Sequence, residues 1–167
     1  VIDLSGKTPV LLRPGGITFE QLEAAIGKVK VHPLAKAMAT AMPGEKPKTG
    51  KKTVQKNVGN SKKLLAKAPG MKYRHYAPKA EVILVEGPAG KAKRKIREIV
   101  ARNRGKKIRV LLLGKNPKAE AKKIYSRLRA LDLKKIELAV VQGVNEKGLG
   151  LAVMNRLRKA ATKVVKV

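Results

Sequence analysis

Between residues 81 and 167, short apolar runs alternate with helical patterns, and this alternation restricts the fold more than any other feature of the chain. Val82–Val85 is a run of aliphatic residues bounded by Gly87-Pro88-Ala89-Gly90. A helical pattern follows with Ile96, Ile99 and Val100 inward, and Gly105 ends it. Ile108–Leu113 is a second run, closed by Gly114, and Ile124, Leu128 and Leu131 form the stripe of a second helix. Ile136–Val141 is a third run, and residues 147–162 make a third helix with Leu151, Met154, Leu157 and Ala161 inward. Val164–Val167 adds a last short strand. Strands separated by helices of this length are joined by right-handed crossovers and lie parallel. Uninterrupted apolar runs suit strands covered on both faces. The pattern predicts an α/β fold, a small three-layer α/β/α Rossmann-like domain with a parallel sheet.

Residues 1–30 read as part of something larger. Val10-Leu11-Leu12 is a strand ending at Arg13, and Pro14-Gly15-Gly16 is a turn. Thr18 is an N-cap with Gln21 completing a capping box, Ile17 and Leu22 take the staple positions, and Gly27 takes the C′ position. Phe19, Leu22 and Ile26 share a face. So few residues cannot bury a core alone. Residues 31–80 read as a basic linker. Pro33, Pro43, Pro47, Pro69 and Pro78 punctuate it, and most of 43–68 is expected to be extended or disordered.

The linker carries 12 basic residues against the single acid Glu45, and the whole chain carries a net charge of +29. A thermophile-style charged surface would balance Lys with Glu, and this one does not. Such an excess attracts polyanions, and inside a cell the first candidate is RNA, as tRNA or rRNA. The candidate contacts are Lys51, Lys52, Lys62, Lys63, Lys72 and Arg74 in the linker. Lys91, Lys93, Arg94, Lys95 and Arg97 join them at the start of the first 81–167 helix. Cations at a helix start oppose the macrodipole, so anion binding explains this second cluster better than helix stability does. Further cations, Lys118, Lys122, Lys123, Arg127, Arg129, Arg156, Arg158 and Lys159, are read as lying on outer helix faces. Cysteine is absent, which excludes disulfides and thiolate zinc sites. No apolar run is long enough to span a membrane, the first residues lack the basic-then-apolar order of a secretory leader, and the expected location is the cytoplasm. The chain begins with Val and reads as a fragment, a processed chain or the product of a non-standard start.

No catalytic constellation or metal set stands out. The turns at Gly87–Lys91 and Gly114–Asn116 lack the Walker A spacing, Gly148-Leu149-Gly150 lacks the dinucleotide fingerprint, and all three read as plain turns. Glu98, Glu120 and Glu137 read as solvated charges. The stretch Pro69-Gly70-Met71-Lys72-Tyr73-Arg74-His75-Tyr76-Ala77-Pro78 concentrates aromatic, imidazole and cationic groups between prolines. Two readings of it stand. One is a functional loop contacting phosphate and base, and the other is a docked linker whose aromatics cover apolar surface.

Three blocks together resemble the two-domain threonylcarbamoyl-AMP synthases. Val1-Ile2-Asp3-Leu4 with Pro9-Val10-Leu11-Leu12-Arg13-Pro14-Gly15 is similar to the end of their YrdC-type catalytic domain. Pro69–Pro78 is similar to the linker that these enzymes thread across the active site. The third block is similar to their C-terminal Rossmann-like domain, and it joins Tyr125–Asp132 with Gly148-Leu149-Gly150-Leu151-Ala152-Val153-Met154-Asn155-Arg156-Leu157-Arg158-Lys159-Ala160-Ala161. The family joins threonine, bicarbonate and ATP, with magnesium, into threonylcarbamoyl-AMP and pyrophosphate for tRNA threonylcarbamoyladenosine. The resemblance implies that Arg13 contacts the ATP phosphates and that Tyr76, with His75 beside it, reaches the nucleotide when the linker closes. The family's Ser-Thr pair and the rest of the catalytic domain fall before Val1. The chain is therefore expected to bind no cofactor alone, to carry no catalytic residue of its own, and to need a YrdC-type partner or full-length homologue. The other reading is a repurposed RNA-binding or ribosome-associated protein without enzymatic activity.

Overall fold

The computed structural model describes residues 1–36, 68, 77–114 and 116–167. The expected extended linker over 43–68, apart from Ala68, and the Pro69–Tyr76 part of the aromatic motif lie outside the described residues.

The alternating runs build the parallel sheet. Its strands are β4 (Glu81–Glu86), β5 (Ile108–Leu111), β6 (Leu138–Gln142) and β7 (Lys163–Lys166), numbered after three short strands upstream. They lie in the order β5-β6-β4-β7, and every neighbouring pair is parallel. The connecting helices are α3 (Ala89–Arg102), α4 (Pro117–Leu133) and α5 (Gly150–Ala160). Successive residues of β4 face opposite ways. Val82 and Leu84 join Ala139, Val141, Leu128 and Leu157 in one core, while Ile83 and Val85 join Leu138, Val140, Ile96 and Ile99 in the other. The first core lies under α4 and α5 and the second under α3, which makes three layers. This is the Rossmann-like α/β/α arrangement. The connection from β4 runs outward to the edge position of β5, and the connections from β5 and β6 run back the other way. Opposite directions of travel with one crossover hand put α3 and α5 on opposite faces. The reversal falls between the C-terminal ends of β4 and β6.

Upstream, β1 (Ile2–Asp3) pairs antiparallel with β2 (Val10–Leu11), and β3 (Lys30–Val31) pairs parallel with β2. The helix α1 (Phe19–Ile26) has the predicted capping box. The Gln21 amide donates to Thr18 Oγ1 at 3.2 Å, and the Thr18 amide donates to Gln21 Oε1 at 2.9 Å. Gly27 follows at φ 77°, a left-handed conformation that glycine adopts without strain. The turn α2 (Pro33–Lys36) closes the segment. Leu11 and Val29 pack against Leu151 of α5, with Phe19, Leu22 and Val31 around them. The buried Asn155 side chain donates to the Ala35 carbonyl at 2.6 Å, and the Gly148 amide donates to Glu20 at 2.9 Å.

Several expectations are corrected. β5 is not covered on both faces along its length, since Arg109 and Val110 are exposed and Leu112 follows exposed, because it forms the sheet edge. The helix α3 stops at Arg102 rather than Gly105, where Asn103 turns its side chain back to the Ile99 carbonyl at 2.8 Å. Leu151 faces the N-terminal segment rather than the sheet, so α5 is buried nearly all round. Ile17 and Ile26 are exposed rather than packed inward. Arg158 and Lys159 do not lie on an outer face, and Glu120 is not solvated, because the docked segment and the cleft described below enclose them.

Candidate functional site

Three places among the described residues are candidates for functional chemistry. The first surrounds Arg13, which projects exposed from the end of β2 while Pro14 behind it is buried. Across the domain contact lies Lys159 of α5, itself buried. Burial, and then the charge of Arg13, hold the Lys159 amine below the ordinary lysine range. The charges of Arg13 and Lys159 thus oppose each other across the junction between the two units. Tyr76 and His75 lie outside the described residues, so the structure does not place them with Arg13.

The second is the face of α3. Lys91, Lys93, Arg94 and Arg97 are exposed, on the side away from buried Ala92, Ile96 and Ile99. Lys95 is half-buried and committed to Glu98 at 2.8 Å, so it is less available than the others. Arg102 binds the same carboxylate at 2.6 Å. Lys51, Lys52, Lys62, Lys63, Lys72 and Arg74 lie outside the described residues.

The third site did not stand out in the sequence. A cleft of about 750 Å³ opens at the C-terminal edge of the sheet, at the reversal between β4 and β6. Loops after β4, β5 and β6 supply Gly87, Gly114 and Glu146, and α5 supplies Met154 and Arg158. Arg158 grips Glu86 in a bidentate fork, Nε to Oε1 at 2.7 Å and Nη2 to Oε2 at 3.0 Å, and also donates to Glu146 at 2.5 Å. Burial pulls the pKa of this guanidinium down, and its bonds to Glu86 and Glu146 more than offset that, so it rises above the usual arginine value. Glu120, on the first turn of α4, is only 5% exposed. Its Oε1 accepts from Arg127 Nη2 at 3.2 Å. Its Oε2 lies 2.8 Å from Arg127 Nη1 but outside hydrogen-bonding geometry, and it accepts no hydrogen bond. Gly114 makes room for that carboxylate, since a Cβ there would lie 3.1 Å from Glu120 Oε1. Folding also concentrates acids here, which the sequence alone does not show. Only 11 acids occur in the chain, and three of them line this one cleft.

Among the described residues, no group of three His, Cys, Asp or Glu side chains is placed to hold a metal ion. No described helix is long and apolar enough to cross a membrane.

The fold and its docked N-terminal segment define a Rossmann-like domain attached to part of a second unit. Residues 17–162 match the family model of the threonylcarbamoyl-AMP synthase C-terminal domain, and the chain belongs to that family. It is 42% identical to the threonylcarbamoyl-AMP synthase of Pyrococcus abyssi over all of its own length and 46% of the relative's. It is 33% identical to that of Bacillus subtilis, over 96% of this chain and 44% of the other. The crystal structure of the P. abyssi protein complexed with L-threonine superposes with a TM-score of 0.78, covering 100% of this chain and 46% of that one. The chain thus spans about half the length of the curated relatives it matches.

Proposed function

We propose that this chain serves as the C-terminal portion of a threonylcarbamoyl-AMP synthase in tRNA threonylcarbamoyladenosine formation, inactive alone and completed by a YrdC-type catalytic domain. The observation that carries the reading is the attachment of residues 1–36. Leu11 and Val29 against Leu151, and Asn155 against Ala35, fix the β1–β3 unit, with Arg13 at its end, to α5. In this arrangement Arg13 contacts the ATP phosphates. The linker carrying His75 and Tyr76 closes over the nucleotide, which shields a reactive adenylate from water. In this reading the magnesium that accompanies ATP is assigned to the catalytic domain with the rest of the ATP site, and no step is routed through it.

The test is pyrophosphate release from ATP in the presence of threonine and bicarbonate. The chain alone is expected to release none, and the chain joined to a YrdC-type domain is expected to release it in a threonine-dependent way. Arg13→Ala is expected to lower the joined activity by about tenfold or more, the effect of losing one charge-assisted contact. Equal activity with and without the C-terminal portion would remove the reading.

A second reading has its own support in the exposed Lys91, Lys93, Arg94 and Arg97 of α3 and the overall charge. Here the domain binds RNA, either as tRNA during modification or as rRNA on the ribosome. It predicts affinity that falls steeply with salt and a shallower slope when these four cations are replaced by glutamine. RNA affinity that does not respond to salt contradicts it.

A further inference from the structure

Four cations crowd the outer half of α3. Lys91, Lys93, Arg94 and Arg97 lie within about 9 Å along the helix axis, at 1.5 Å per residue. Helical spacing sets them opposite buried Ala92, Ile96 and Ile99, and all four are exposed. None of them forms an ion pair among the described residues. The one acid of the helix, Glu98, is taken by Lys95 at 2.8 Å and Arg102 at 2.6 Å, so it leaves their charge standing. Like charges three and four residues apart, such as Lys91 with Arg94 and Lys93 with Arg97, weaken a helix. Burial of Ala92, Ile96 and Ile99 holds α3 in place despite them.

What α3 lacks narrows the partner. It contains no Ser, Thr, Asn or Gln and no aromatic residue. Asn and Gln read base edges, and aromatic rings stack on unpaired bases. Among the described residues the aromatics are Phe19, packed in the N-terminal cluster, and Tyr125 of α4, with Arg156 over its ring at 5.2 Å. Neither belongs to α3. A face of guanidinium and ammonium groups alone suits a phosphate backbone, which carries no sequence information. Double-helical RNA presents such a backbone with its bases paired inward, and it is recognised by shape and backbone contacts. A duplex also releases more counterions per contact than a single strand does.

The position matters as much as the charge. The outer cations of α4, Lys118, Lys122, Lys123 and Arg129, are exposed too, but they are spread over nearly twice the length of helix. The denser positive field is therefore that of α3. It also lies across the sheet from α4 and α5, and the β1–β3 unit docks on α5. A stem lying along α3 leaves that unit and Arg13 clear.

We propose, resting on the RNA-binding reading above, that the outer face of α3 is a docking surface for double-helical RNA. The duplex is gripped through its phosphates without regard to sequence, on the side of the sheet away from the docked β1–β3 unit. Arg94 and Arg97 fork phosphate oxygens, and Lys91 and Lys93 flank them as point charges.

The probe is an RNA duplex of roughly 16 base pairs, compared by fluorescence anisotropy with an unstructured single strand of the same length, on the intact chain. The duplex is expected to bind about tenfold more tightly, and different duplex sequences are expected to agree within about threefold. Four phosphate contacts imply a loss of roughly a hundredfold in duplex affinity between 50 and 200 mM salt. Lys91→Gln, Lys93→Gln, Arg94→Gln and Arg97→Gln together are expected to weaken duplex binding by about thirtyfold or more. Their melting temperature is expected to hold or rise, since like-charge repulsion is removed, so lost binding is not confused with failed folding. The charge-matched control combines Lys118→Gln, Lys122→Gln, Lys123→Gln and Arg129→Gln on α4. That control and Arg13→Ala are each expected to change duplex affinity by less than about threefold. Equal losses in the α3 and α4 variants would overturn the location, and so would loss on Arg13→Ala. Single-strand binding as tight as duplex binding, still weakened by the α3 variant, would overturn the duplex class and leave the RNA-binding reading standing. RNA affinity indifferent to salt would remove both.

Discussion

The two sheets of this molecule are built on different terms. The β4–β7 sheet has strands of four to six residues, its central strand β4 is buried on both faces, and its cores are filled from its own helices. The β1–β3 sheet has three strands of two residues each. Its one cluster of buried residues is completed by Leu151, a residue of the other unit. Its outward side leaves Leu4, Ile17 and Ile26 exposed. The first sheet carries its own hydrophobic stabilisation and the second borrows it. Regular secondary structure therefore does not mark an independent folding unit here. The cap of α1 is as complete as any in the molecule, yet the helix has no fully buried residue.

This contrast can be pressed by substitution. Leu84→Ala empties a site of 0% exposure in the larger core and is expected to cost about 3–5 kcal/mol, unfolding both units together in urea. Leu151→Ala is expected to cost less overall, about 2–3 kcal/mol. Its mark is selective: the amides of Leu12, Lys30 and His32 lose protection from exchange while those of β4 keep theirs. Thr18→Ala removes half of the capping box and is expected to cost about 1 kcal/mol, read as fraying of α1 alone. The smallest effect is that of pH. The Gly148 amide, with smaller help from Thr18 and Lys147, holds the Glu20 carboxyl below the usual range. A carboxylate depressed in the folded state adds stability above its unfolded pKa, and that contribution is lost as pH falls through the folded value. Because Glu20 is exposed, the loss is slight. It should appear as a change in the Gly148 amide resonance at mildly acidic pH, absent in Glu20→Gln.

Much of the larger unit was legible because its signals are local. Ile96 and Ile99, then Ile124, Leu128 and Leu131, repeat at helical spacing, and each is buried where the spacing placed it. Thr18 and Gln21 announced their cap in the same way. What escaped depends on contacts distant in sequence. Nothing near Leu151 indicates that a segment about 120 residues earlier covers it, so α5 read as a one-faced helix. Arg158 looks like a surface charge because its partner Glu86, 72 residues away, is joined to it only by folding. The strand β5 read as buried because an apolar run does not reveal whether its strand is central or at an edge. The cleft was invisible for a related reason, since its position follows from strand order and not from any motif.

The most direct measurement of this account is native-state hydrogen exchange on the intact chain, before and after addition of a YrdC-type catalytic domain. Two tiers are expected. The amides of Ile83–Val85 and Val140 exchange only through global unfolding, and those of Leu12, Lys30 and His32 open at lower free energy. Addition of the catalytic domain raises the second tier toward the first, because it covers the face bearing Leu4, Ile17 and Ile26. A single tier, unchanged by the catalytic domain, would contradict the proposal that residues 1–30 belong to a larger catalytic unit.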